Sequence, residues 1–130
     1  MGIQNFSEDV LFVDLPLREP QIGDELKNLN EIVSTRSECD VVIDFSKVEI
    51  VTSSDISNLL TLRALLREHK RQLILCGVST LTKGIFTVAG LDAVFEFADD
   101  KHAALAAIQH VKDTPTHTSS PRSETSPEAG

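Results

Sequence analysis

The sequence predicts an α/β fold, a sandwich with a mixed, mainly parallel central β-sheet and about four α-helices. Two observations carry this. Short apolar runs rich in Val, Ile, Leu and Phe alternate with segments whose apolar residues recur at helical spacing, and the alternation continues from Val10 to Val111. Strands separated by helices in this way run parallel, joined by right-handed crossovers.

Val10-Leu11-Phe12-Val13-Asp14-Leu15, ended by Pro16, reads as a strand. Ile3 to Phe6 reads as a weaker strand paired with it across Ser7-Glu8-Asp9. Beyond Pro20 and Gly23, the spacing of Leu26, Leu29, Ile32 and Val33 predicts a helix from about Asp24 to Thr35. Val41-Val42-Ile43-Asp44-Phe45 is nearly continuous apolar sequence, the pattern of a strand buried on both faces. A short apolar step, Val48 to Val51, leads to a helix carrying Ile56, Leu59, Leu60, Leu62, Leu65 and Leu66, which ends near His69. Leu73 to Cys76 is a third buried strand, stopped by Gly77, and Ser79 to Val88 a helix closed by Ala89-Gly90. Val94 to Phe97 reads as a last strand and Lys101 to Val111 as an Ala-rich helix.

The chain has 130 residues, 41% of them hydrophobic and 25% charged, which is one domain with enough length for a real core. Without Trp or Tyr, that core must be built from aliphatic side chains and Phe. The folded unit is expected over 1–112. The Ser/Thr/Pro-rich stretch 113–130 has too little apolar surface to offset its ordering entropy, and is expected to be a disordered tail.

A net charge of −8 repels phosphate backbones and anionic lipid, so no nucleic-acid partner is expected. The run Arg63, Arg67, Lys70 and Arg71 falls at helical spacing and reads as one solvated helix face. No apolar stretch approaches the ~18–20 residues that span a membrane, and Met1 to Asp9 is not patterned as a secretory signal. Cys39 and Cys76 are too few for a disulfide framework and read as reduced thiols, so a cytoplasmic protein is expected.

The four histidines are scattered over different segments without ligand spacing, and neither a Gly-rich phosphate loop nor a nucleophile elbow is present. The expectation is a protein with no metal, no cofactor and no catalytic residue. The segment that stands out is Ile50-Val51-Thr52-Ser53-Ser54-Asp55-Ile56, where an apolar step delivers hydroxyls to the start of an amphipathic helix. Thr52 with Asp55 three residues on forms a capping box, which alone would account for both. Ser53 or Ser54 is placed to carry a phosphate, because a helix N-terminus stabilises anions and a new charge there would disrupt a docked partner. The docking surface expected is Thr52, Ser53, Ser54, Asp55, Ser57 and Asn58, with Lys47, Glu49 and Lys83 as possible flanks.

This order of elements resembles that of STAS domains, the fold of bacterial anti-sigma factor antagonists. The blocks that carry the resemblance are Val41 to Phe45, Val48 to Asp55, Gln72 to Val78, Gly90-Leu91-Asp92 and Val94-Phe95. It extends from about Ile3 to Val111. In that family an Asp-Ser-Ser-Gly-like turn carries the serine that a partner kinase phosphorylates. The resemblance places Ser53 on the phosphoacceptor, Ser54 on the second serine, Thr52 on the Asp and Asp55 on the Gly.

It implies an anti-sigma factor antagonist that binds an anti-sigma factor kinase, or a related signalling protein, and lets go when Ser53 is phosphorylated. The departures at Thr52 and Asp55 leave an alternative: a constitutive docking subunit of a signalling scaffold or of a lipid-trafficking ABC transporter. A carboxylate at Asp55, ~4–6 Å from a phosphate on Ser53, would repel it by a few kcal/mol at an effective dielectric of roughly 20.

Overall fold

The computed structural model describes residues 2–7, 9–17, 19–35 and 39–113. Residues 114–130, which hold nearly all of the expected polar tail, lie outside them. The elements follow the expected order: β1 (Gly2–Ser7), β2 (Val10–Asp14), α1 (Gln21–Thr35), β3 (Asp40–Asp44), α2 (Ser53–Glu68), β4 (Leu73–Cys76), α3 (Thr80–Val88), β5 (Glu96–Ala98) and α4 (Lys101–Asp113). They form one five-stranded sheet in sequential order, β1-β2-β3-β4-β5. β1 is antiparallel to β2, and every later pair is parallel. The tight connection from β1 to β2 permits only an antiparallel pair, whereas each helical crossover returns the chain in parallel.

The period-2 pleat splits the sheet into two buried faces. Leu11, Val13, Val41, Ile43 and Leu75 point to one face, where they meet Leu26, Leu29 and Val33 of α1, Leu59, Leu62 and Leu66 of α2, and Phe86 of α3. Val10, Phe12, Val42, Ile74 and Cys76 point to the other, under Ala104 and Ile108 of α4. Because β3 is covered on both sides, its run is continuously apolar.

Two boundaries differ from expectation. α1 begins at Gln21, earlier than the spacing suggested, because Asp24 N–H already bonds to the Pro20 carbonyl (3.1 Å) and Gly23 N–H to Glu19 Oε1 (3.2 Å). Val48 and Val51 are buried but lie in a loop. The last strand starts at Glu96, because Phe95 drops into the core against Phe86, with ring centroids 5.6 Å apart.

Candidate functional site

β2, β3, β4 and β5 run parallel, so the loops after them gather along one edge of the sheet, its carboxyl edge. Backbone bonds fasten the loops together: Leu15 N–H donates to the Asp44 carbonyl (3.1 Å), Glu49 N–H to that of Leu17 (3.0 Å) and Phe45 N–H to that of Cys76 (2.8 Å). Ser46 N–H donates to Asp44 Oδ1 (2.9 Å), and Lys47 Nζ pairs with Asp14 Oδ2 (3.2 Å).

α2 rises from this edge. Thr52, extended at φ −103° and ψ 168°, is its N-cap. Its Oγ1 accepts from Asp55 N–H (3.2 Å), and Asp55 Oδ2 accepts from Thr52 N–H (3.0 Å). The capping box read from the sequence is therefore present. Ser53 and Ser54 occupy the first two helical positions, both exposed, and Thr52 and Ser57 are exposed beside them. Asn58 is half-buried, and its carbonyl accepts from Asn30 Nδ2 of α1 (3.3 Å).

Asp55 has two expected places, in the capping box and on the docking surface, and the structure keeps the first while burying the side chain. It is 1% exposed and offers a partner no surface. Its Oδ2 holds the Thr52 N–H, and its Oδ1 is buried on the side of Gly23. There it meets Glu19, a residue the sequence did not single out. The adjoining Asp55 carboxyl, and then burial, push the Glu19 pKa above the ordinary carboxylate value, against the lowering effect of the Gly23 N–H.

Two exposed apolar side chains also flank the turn, Leu17 (45%) and Ile50 (53%), on loops joined by the Glu49–Leu17 backbone bond. Neither belongs to a periodic pattern, so only the fold reveals them as neighbours. Of the expected flanking residues, Lys47 and Glu49 are on these edge loops, whereas Lys83 lies over the Phe97 ring, 5.8 Å from its centroid. The basic run divides likewise: Arg63 Nε donates to the Val94 carbonyl (2.8 Å) and Arg71 pairs with Asp40 (3.2 Å), so these two arginines pin α2 to its surroundings.

Cys39 and Cys76 are both buried. Burial, reinforced by Asp44 and Asp100, pushes the Cys76 thiol up to about 12, which leaves it protonated and unreactive at neutral pH. Among the described residues, no three His, Cys, Asp or Glu side chains cluster to hold a metal ion, and no helix is long and apolar enough to cross a membrane.

A family model described as STAS domain matches residues 10–104. The chain is 26% identical over 69 residues to the Bordetella bronchiseptica protein named "Putative anti-sigma factor antagonist BtrV". That alignment takes in 53% of this chain and 60% of the relative's length. Among solved structures, RsbS of Moorella thermoacetica superposes with a TM-score of 0.74 at 18% identity, covering 86% of this chain and 97% of that one. An anti-sigma-factor antagonist (STAS) domain protein from Planctomyces limnophilus superposes with a TM-score of 0.72 at 23% identity, covering 84% and 99%. At these identities the superpositions establish the fold.

Proposed function

We propose a function from one premise: this chain belongs to the STAS domain family. Its work is docking rather than catalysis. It acts in the cytoplasm as an anti-sigma factor antagonist, binds an anti-sigma factor kinase at the sheet's carboxyl edge, and is released when Ser53 is phosphorylated. The observation that carries this reading is the position of Ser53, exposed at the first residue of α2 directly after its cap. A phosphate there meets the open N-terminus of the helix, where the N–H groups and the dipole stabilise an anion. It also places nearly two negative charges on the surface a partner would cover. The name of the Bordetella bronchiseptica relative supports the same assignment. Thr52, Ser53, Ser54 and Ser57 supply the polar part of the docking surface, and Leu17 and Ile50 its apolar part.

Phosphate transfer from the cognate kinase tests it. Labelling is expected to disappear in Ser53→Ala and to persist in Ser54→Ala; labelling that survives Ser53→Ala overturns the site. A second reading, a constitutive docking subunit, is favoured by the buried carboxylate of Asp55 beneath the turn. It differs in one measurable respect: partner affinity would be the same for Ser53→Asp as for the parent.

A further inference from the structure

Two helices start side by side at the carboxyl edge, and each uses a carboxylate to satisfy a backbone N–H. Glu19 Oε1 accepts from Gly23 N–H at 3.2 Å, and Asp55 Oδ2 accepts from Thr52 N–H at 3.0 Å. Each carboxyl has a second oxygen, Glu19 Oε2 and Asp55 Oδ1, and both are buried without a donor. Both carboxyls lie over Gly23: a Cβ there would sit 3.2 Å from Glu19 Oε1 and 3.7 Å from Asp55 Oδ1.

Two ionised carboxylates are acceptors only and cannot satisfy each other. Buried acceptors left without a donor are costly, more so when charged. One proton turns the pair into a donor and an acceptor, as in other carboxyl dyads. The charged groups acting on Glu19 are Asp55 from α2 and Asp24 from α1. No described cation is ion-paired with either carboxyl; Lys47 is engaged by Asp14 and Arg71 by Asp40.

We infer that Glu19 and Asp55 share a single proton, and that this proton latches the Ser53 turn to the start of α1. The inference rests on the proposed function only for its consequence, which is regulation of the docking site by pH. The Glu19 carboxyl is shifted upward by the adjoining Asp55 carboxyl and by burial. An acid raised in the folded state stabilises that state while protonated. The contribution is complete below glutamate's ordinary value and is lost as pH rises through the raised one. The latch is therefore closed on the acid side and loosens on the alkaline side. A phosphate on Ser53, adding negative charge two residues from Asp55, favours the protonated pair.

The test is an NMR pH titration of the full chain, following the Glu19 side-chain carboxyl together with the amides of Gly23, Thr52 and Ser53. In the parent, all are expected to move with one shared midpoint above the ordinary glutamate value. In Glu19→Gln, whose amide can donate as a protonated acid does, the three amides should stay flat over that range, near their acid-side positions. A Glu19 midpoint at the ordinary value, or amides that titrate alike in parent and Glu19→Gln, overturns the latch. Should Glu19→Gln fail to fold, Asp55→Asn decides: the Glu19 midpoint is expected to fall, and an unchanged midpoint overturns the inference. No phosphate transfer enters these readouts. Loss of the Ser53 assignment would therefore leave the latch standing, and loss of the latch would leave the docking reading standing.

Discussion

Thr52 makes both halves of the cap, since its side-chain hydroxyl accepts from the Asp55 N–H and its backbone N–H donates to the Asp55 carboxylate. Thr52→Ala removes the first bond and keeps the second. It is expected to lower unfolding free energy by about 1 kcal/mol, read from the midpoint of urea denaturation. The residue that folds beneath the turn is the more instructive one. Thr52 and Asp55 are three positions apart, so their pairing is legible in the sequence as a capping motif. Glu19 reaches Asp55 from a separate loop brought near only by the packing of α1 on α2, and no periodicity or spacing encodes that meeting. For the same reason the burial of Asp55, which the sequence puts on the docking surface, is visible only in the fold. The exposed Leu17 and Ile50 escape sequence reading in the same way, because their proximity depends on a backbone bond between two loops.

At the scale of elements, hydrophobic pattern identifies strands and helices well wherever local period and tertiary burial agree. β3 is the plainest case, with Val41, Val42 and Ile43 all fully buried as a continuous run demands. Boundaries fail where a long-range contact decides them. Phe95 belongs by composition to the last strand, but its ring is needed in the core beside Phe86, and the strand begins one residue later. Gly23 reads as punctuation, yet it lies inside α1 because Glu19 accepts its N–H.

The end of α2 gives a further test. Arg71 N–H returns to the Leu66 carbonyl (2.8 Å) and Lys70 N–H to that of Arg67 (3.1 Å), with Lys70 in the left-handed region at φ 59°. This is a Schellman closure with a side chain where glycine is preferred. Left-handed backbone costs a non-glycine residue roughly 1–2 kcal/mol. Lys70→Gly is therefore expected to raise the unfolding free energy by roughly 0.5–1 kcal/mol once glycine's greater freedom in the unfolded chain is subtracted, read from the denaturation midpoint.

At the scale of the whole molecule, the proposed function places docking at one end. The sheet is covered by α1, α2 and α3 on one face and by α4 on the other, and the loops after β2 and β3 reach solvent at its carboxyl edge. Its polar centre at Ser53 and its apolar flanks at Leu17 and Ile50 have the composition of a small docking surface, apolar contacts beside a polar switch. The amide NMR footprint of the anti-sigma factor kinase on isotope-labelled chain measures this most directly. Shifts or broadening are expected at Leu17, Ile50 and residues 52–58, with α4 unaffected and the footprint abolished by phosphate on Ser53. A footprint confined to α4, or one that phosphate on Ser53 leaves unchanged, would contradict the proposed function.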